Sequence, residues 1–361
     1  MTTTGDTGTD GPGPVAAVGG WPLLLATLID GRDLTTEQAL AAMTEILSGV
    51  VSEPKIAGLL VALQAKGEST EELIGFATGM REAAQGFRVD PDATDIVGTG
   101  GSPHRRRHAL NVSTMASIVA AGAGAIICKH GNRKASSTSG SFDFLEALGV
   151  AIDLGPEQME ACVGEAGVGF AFARNFHPAM RFAGPVRVEL GVPTTFNLLG
   201  PLAHPGLVRR QVIGVSSEAR AAQMADVLAA LGTTSAWVVA GADGLDELST
   251  TGDSVVFAVD ADGVRRQEVR PVDLGIERTA IDDLAGGDAG VNAEIFHRML
   301  DGERGPYRDI VQLNAAAGLV VAGRVDRLEA GFDAAGAAID DGRAAGTLER
   351  LREVTNRLVA G

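Results

Sequence analysis

The sequence predicts an α/β protein in two unequal parts: a small all-helical N-terminal domain, then a large α/β domain around a central mixed, mostly parallel sheet. Three observations carry this. From residue 21 to about 86 the only periodic signal is helical. After Asp95, strand-like, glycine-rich and helix-like stretches alternate. At 361 residues with 45% hydrophobic content, the chain can bury one large core or two unequal ones. The expected divisions are a tail over 1–18, a helical domain over 19–90 and an α/β domain over 91–361.

Residues 1–14, MTTTGDTGTDGPGP, are small, polar and rich in Gly and Pro, so they can build no core and are expected to be disordered. In the helical stretch, Thr35 with Gln38 and Ser69 with Glu72 have the spacing of capping boxes. Ser52 can cap a helix with Pro54 in its first turn, and Gly49, Gly67 and Gly86 fall near helix ends. Leu40, Met43, Ile46 and Leu47, then Ile56, Leu59, Leu60 and Leu63, recur at helical spacing. Further on, β-like runs are expected at 125–128, 168–173, 210–215, 235–240 and 254–259. The last of these leads into Asp260-Ala261-Asp262-Gly263, a hairpin turn. Helical patterns intervene at 156–166, 217–231, 293–300 and 347–358.

The chain is organised around residues 95–149, where two phosphate-friendly loops follow one another. Ile96 and Val97 lead into Gly98-Thr99-Gly100-Gly101, and a helical pattern starts near Asn111, Ser113 and Thr114. Glycines let backbone N–H groups approach a ligand, and a helix N-terminus attracts anions through unpaired donors and its dipole. The second loop repeats the device: the run 125–128 delivers Lys129, His130, Gly131, Asn132, Arg133 and Lys134. Ser136, Ser137, Ser139 and Ser141 follow, just ahead of a helical pattern over 142–148. Either loop alone is an ordinary turn or a solvated basic loop; their succession in one βαβ-like unit predicts a ligand with phosphates at both ends. Neither matches G-x-G-x-x-G or G-K-[ST], which argues against nicotinamide and ATP.

Net charge is −16, which disfavours general attraction to nucleic acid or an anionic membrane. The basic exception is Arg105-Arg106-Arg107 with Lys129, Arg133 and Lys134, inside the central stretch. No stretch is long and apolar enough to span a membrane. The run 15–29 is not read as a signal peptide, because Asp6 and Asp10 precede it, no Lys or Arg does before Arg32, and Gly19, Gly20 and Pro22 interrupt it. Cys128 and Cys162 show no metal-ligand spacing and no disulfide framework, which fits a reducing cytoplasm, and the six histidines are scattered, against a zinc site.

Taken together, DIVGTGG at 95–101, NVST at 111–114, KHGNR at 129–133 with SSTSGS at 136–141, FHPAMR at 176–181, PVRVELGVPTTFNLLGPL at 185–202 and DGLDELS at 243–249 resemble the anthranilate phosphoribosyltransferases of tryptophan biosynthesis. Six motifs in order are far more specific than any one of them. The resemblance implies a nucleoside phosphorylase/phosphoribosyltransferase-like fold, with the region of roughly 185–205 returning to the helical domain and a homodimer formed through the helical parts. It implies transfer of the phosphoribosyl group of phosphoribosyl pyrophosphate (PRPP) to the amino group of anthranilate with Mg²⁺. By the same resemblance, Gly98, Gly101, Ser102 and Asn111, Val112, Ser113 and Thr114 receive the pyrophosphate side. Lys129, His130, Gly131, Asn132, Arg133, Lys134, Ala135, Ser136, Ser137 and Ser141 hold the ribose and its phosphate. Ser113, Asp246 and Glu247 match metal-binding positions, a set of hard oxygen ligands. Gly98, Asn132 and Arg187 match anthranilate contacts, with His130 and His177 lining the approach; the planar fork of Arg187 suits a carboxylate.

The sequence departs from that family in its first loop. Relatives usually read GTGGDG; here Ser102 replaces the acid, Pro103 the glycine, Ala109 stands at a threonine position, and about three residues are added. Three roles are open to Arg105, Arg106 and Arg107: direct pyrophosphate binding, a mobile clamp, or a solvated insertion. Alternative activities are transfer to another aromatic amine or carboxylate, and pyrimidine nucleoside phosphorolysis.

Overall fold

Capping chemistry sets the helices of the N-terminal part, in a computed structural model that describes residues 13–102, 110–133 and 139–361. The chain divides into two units: residues up to Ala83 with Ala179–Thr195, and Ala84–Pro178 with Phe196–Gly361. In the helical unit the helices are Pro14–Ala17, Gly20–Ile29, Thr36–Ser48, Glu53–Lys66, Thr70–Glu82 and, from the later segment, Gly184–Leu190. Both capping boxes close, Gln38 N–H on Thr35 Oγ1 at 3.2 Å and Glu72 N–H on Ser69 Oγ at 3.2 Å, with the reciprocal bonds in place. Ser52 occupies an N-cap, but its hydroxyl makes no capping bond, and Gly86 lies beyond the last helix.

Two buried glutamates tie this unit together and correct an expectation. Glu45 accepts from Val15 N at 2.8 Å and from Trp21 Nε1 at 2.8 Å. Pro14–Ala17 is therefore helical and Val15 is buried, so the tail expected over 1–18 does not extend to 18; residues 1–12 lie outside the described residues. Glu72 is fully buried and receives Leu34 N (2.9 Å), Ser69 N (2.7 Å) and Lys66 Nζ (2.9 Å), so its charge is both paired and hydrogen-bonded.

The segment that returns to the helical unit is Ala179–Thr195, shorter than the expected 185–205. Thr195 Oγ1 donates to Glu68 Oε1 at 2.9 Å, and the space over Gly49 is filled by Phe182. The following helix, Phe196–Leu202, stays with the α/β unit because its backbone carbonyls are taken there: Gly200 O by His130 and Pro201 O by Gln211. Residues 84–90 also belong to that unit, where Gln85 N donates to Phe176 O and Phe87 packs on Phe176.

The α/β unit holds one seven-stranded sheet: β1 Thr94–Gly98, β2 Ile127–Gly131, β3 Val168–Phe172, β4 Arg210–Gly214, β5 Ser235–Gly241, β6 Ser254–Asp260 and β7 Gly263–Val269, in the order β3-β2-β1-β4-β5-β6-β7. The first five strands in that order run parallel; β6 and β7 add an antiparallel hairpin, closed at the expected turn with Asp260 opposite Gly263. Going along the chain, β1 to β3 build the sheet one way and β4 and β5 the other, so loops diverge between β1 and β4. In open α/β sheets that switch point is where ligands bind, beyond the carboxyl ends of the strands.

Helices cover the sheet, and two of them fall outside the helical patterns expected from the sequence. Pro306–Val321 is buried on every face, including Val311, Leu313, Ala315, Ala316 and Leu319, and Leu328–Asp340 packs on it through Gly331, where an added Cβ would meet Ala316 backbone. Among the described residues no helix is long and apolar enough to cross a membrane.

Candidate active site

The first loop is built around close backbone approach. Gly98 ends β1 beside Gly214 at the end of β4, in register with it. Across these two glycines runs the Asp246 segment: a Cβ on Gly98 would lie 2.6 Å from Asp246 Oδ2, and one on Gly214 would run into the Asp246 carbonyl. Gly100 takes a positive φ of 70°, and its N–H donates to Asp246 Oδ2 at 2.6 Å. The loop then buries Ser102, and the helix Val112–Gly122 starts with no acidic residue in its first turn to compete with an anion. The hydroxyls of Ser102 and Thr114 are buried without a hydrogen-bond partner. Such groups are rare in folded proteins and are expected where a ligand completes the network.

Asp246 and Glu247 are adjacent buried carboxylates, held by a turn that Asp243 organises. Asp243 accepts from Leu245 N at 2.9 Å and Ser249 Oγ at 2.5 Å, and from Thr251 Oγ1, so it shapes the DGLDELS turn. From the far side, Asn314 clamps Leu248 through both its N–H (3.0 Å) and its C=O (2.9 Å). No group of three or more His, Cys, Asp or Glu arranged for a metal occurs among the described residues. Two carboxylates with a serine hydroxyl are hard oxygen donors. They suit an ion that takes its other ligands from phosphate and water, so the residues fit Mg²⁺.

In the second loop, Gly131 has Ser141 Oγ 2.6 Å from where a Cβ would stand, and that hydroxyl donates to Asn132 O at 2.9 Å, closing the loop on the helix Ser141–Ala147. Asn132 is exposed and accepts from Arg133 N. The Arg133 guanidinium pairs with Glu146 at 2.6 Å and lies over Phe172. Lys129 turns into the sheet, where its Nζ donates to Ile96 O at 2.7 Å beside the buried Asp95. Burial pushes the Asp95 carboxyl up to about 7, against the pull of the Lys129 charge and the His130 N–H.

Three buried histidines meet behind this loop, His130 with His177 at 5.2 Å and with His204 at 5.7 Å between ring centroids. Hydrogen bonding assigns their tautomers. His204 Nδ1 accepts from Gly206 N, so its Nε2 carries the hydrogen and donates to Cys128 O at 2.9 Å. His130 Nδ1 faces Gly200 O at 3.0 Å and must donate. His177 bonds the Ala203 carbonyl, and burial brings it down to about 4; burial holds His130 well below the ordinary histidine range, with the two neighbouring rings adding to the effect. His130 and His177 are thus neutral imidazoles whose Nε2 atoms are buried without a hydrogen-bond partner, two lone pairs open to a donor.

Most of the expected site residues therefore converge in the α/β unit, at the carboxyl ends of β1 and β2, after β3 and after β5. Arg187 belongs to the helical unit, on the helix Gly184–Leu190, where burial pulls its guanidinium below the ordinary arginine value without removing its charge at neutral pH. Arg105, Arg106, Arg107, Lys134, Ala135, Ser136 and Ser137 lie outside the described residues. Gly214, His204, Asn314 and Asn292 were not singled out by sequence. Only Gly214, a glycine closing an expected strand, carried a local signal.

The chain matches the model of the glycosyl transferase family a/b domain over residues 90–345 and that of the glycosyl transferase family helical bundle domain over 22–84. It is 48% identical over 344 residues to the anthranilate phosphoribosyltransferase of Rhodococcus jostii, covering 94% of each chain. Its structure is similar to that of anthranilate phosphoribosyltransferase from Thermus thermophilus, with a TM-score of 0.86 at 42% identity, covering 92% of this chain and 99% of that one. It is also similar to the enzyme from Saccharomyces cerevisiae in complex with PRPP and Mg, with a TM-score of 0.85 at 26% identity, covering 93% and 98%.

Proposed function

We propose the activity on the premise that the chain belongs to the anthranilate phosphoribosyltransferase family: it transfers the phosphoribosyl group of PRPP to the amino group of anthranilate, releasing pyrophosphate. The observation that carries the site assignment is the set of unsatisfied buried polar atoms around the β1/β4 switch point, Ser102 Oγ, Thr114 Oγ1, His130 Nε2 and His177 Nε2, which a polyanionic donor and an amine acceptor would complete.

In this reading the Gly98–Ser102 loop and the first turn of Val112–Gly122, with Asn111, Val112, Ser113 and Thr114, receive pyrophosphate. Lys129 to Arg133 and Ser141 frame the ribose and its phosphate, together with Lys134, Ala135, Ser136 and Ser137. Ser113, Asp246 and Glu247 would hold Mg²⁺, which when bound supplies positive charge to the pyrophosphate. The amine lone pair forms the new bond to the anomeric carbon as the bond to the pyrophosphate oxygen breaks, with oxocarbenium-like character. The electrons leave with pyrophosphate, and loop N–H groups and hydroxyls stabilise the charge that develops there.

Gly98 and Asn132 would contact anthranilate, Arg187 would anchor its carboxylate through its planar fork, and His130 and His177 would line its approach. The neutral Nε2 atoms accept a hydrogen bond from the amine. Their depressed basicity suffices because an arylammonium gives up its proton readily. The two buried thiols, Cys128 and Cys162, suit a reducing cytoplasm, and a homodimer through the helical unit completes the reading.

Loss of anthranilate fluorescence on mixing the protein with anthranilate, PRPP and Mg²⁺ tests the proposal. We expect activity that EDTA abolishes and that Asp246→Ala lowers by about 100-fold or more. PRPP binding without loss of anthranilate would transfer the assignment to another aryl amine, and metal-independent turnover would remove Asp246 and Glu247 from their role.

A further inference from the structure

The side chain of Asn111 stands at the head of the helix Val112–Gly122 but makes no capping bond. Its oxygen is used elsewhere. Asn111 Oδ1 accepts from Ser139 Oγ at 3.0 Å and from Asn292 Nδ2 at 2.8 Å. All three residues are buried, and Asn292 completely so. Asn111 ends the first phosphate loop, Ser139 belongs to the stretch that closes the second, and Asn292 sits on a third element, the helix Ala289–Leu300.

The direction of these bonds is fixed by a group that can only donate. Gly287 N–H bonds Asn292 Oδ1 at 2.9 Å, so that end of the Asn292 amide must be oxygen and the end facing Asn111 must be nitrogen. The Asn111 atom it meets must then be an acceptor, and the Ser139 hydroxyl donates to the same atom. If the Asn111 amide flipped, its Nδ2 would face Asn292 Nδ2, donor against donor, whereas the Ser139 hydroxyl could turn to accept; Asn292 is therefore the group that fixes the orientation. Its Nδ2, with two hydrogens, is left for a ligand.

We propose that Asn292 is a positioning residue for PRPP: through the relay Gly287 N–H, Asn292, Asn111 Oδ1 it fixes the Asn111 amide so that nitrogen, never oxygen, is presented to the pyrophosphate, while the shared oxygen ties the two phosphate loops together. This rests on the assignment of Asn111 to the pyrophosphate side. A wrongly turned amide would set a lone pair against an anion, so the relay excludes a repulsive state as well as supplying a donor.

Asn292→Asp tests it, because it keeps shape and still accepts from Gly287, but offers Asn111 a second acceptor and so inverts the relay. PRPP affinity in the presence of Mg²⁺ is read by calorimetry on the full chain, for the wild type, Asn292→Asp, Asn111→Ala and the double variant, each first shown to be folded by circular dichroism. We expect Asn292→Asp to weaken PRPP binding by about tenfold or more, to raise KM for PRPP, and to leave KM for anthranilate within about twofold. In the Asn111→Ala background the same change should add less than about twofold, since the residue through which it acts is gone. Equal weakening in both backgrounds would mean that the new carboxylate acts on PRPP directly or through the fold, and unchanged affinity would mean that the relay is idle; either overturns the proposal. Wild-type protein that binds no PRPP would instead overturn the functional assignment on which it rests.

Discussion

His177 shows how far a single buried side chain can set the response of the molecule to pH. Its ordinary value is 6.5, and burial, offset only partly by the bond to the Ala203 carbonyl, brings it to about 4 in the fold. Between those two values the unfolded chain binds the proton and the folded chain does not, so stability is present above about pH 6.5 and is lost as pH falls through this window. Fully expressed, the effect is on the order of 3 kcal/mol. Asp95 acts in the opposite sense: its folded value is raised to about 7, so its contribution is present at low pH and lost as pH rises towards neutrality. Thermal melts of wild type and His177→Phe between pH 4.5 and 7 separate the two. We expect the wild type to lose more stability on acidification than the variant, which keeps an aromatic ring but cannot titrate. Parallel curves would show that His177 is protonated in the fold as readily as outside it.

At the scale of elements, what could be read from the sequence was what local chemistry decides. The boxes at Thr35/Gln38 and Ser69/Glu72 need partners three residues apart, and both closed. The two loops proposed to hold phosphate stood out because glycine, hydroxyl and basic residues cluster along a short stretch. What was not legible has distant partners or no period. Asn292 meets Asn111 across 181 residues, and His204 meets Cys128 across 76. Pro306–Val321 is buried along most of its length, its polar Arg308, Gln312 and Asn314 included, so no face turned to solvent marks it as a surface helix. The Pro14–Ala17 turn exists because Glu45 captures Val15 N. Gly214 belongs to the same class, since its need for glycine comes from the Asp246 backbone 32 positions later. Gly214→Ala should therefore push the Asp246 segment off the β1/β4 ends, costing about 1–3 kcal/mol in chemical denaturation and raising KM for PRPP. Gly252→Ala, where an added Cβ has only an ordinary contact at 3.8 Å, is the control and should stay within about 0.5 kcal/mol. An unchanged Gly214→Ala would mean that the segment rides over the strand ends without touching them.

For the whole molecule, the open question is how the helical unit covers its apolar surface. Among the described residues, the large hydrophobic side chains most exposed to solvent are Val188 at 83%, Ile29 at 77% and Val50 at 72%, and all three belong to that unit. Scattered exposed aliphatics are normal on a monomer, but their concentration in the smaller unit favours the homodimer proposed above. A twofold interface sets the same patch of one chain against that of the other, so one substitution acts twice. Light scattering should give the wild type a mass of twice 37.0 kDa, and Ile29→Asp with Val188→Asp should return it to 37.0 kDa while leaving the helical circular dichroism intact. Salt provides an independent check. Each chain carries a net charge of −16, so two chains repel and an apolar interface should tighten as ionic strength rises, whereas one held by ion pairs should loosen. A wild type that runs at 37.0 kDa at micromolar concentration would leave these side chains as ordinary surface.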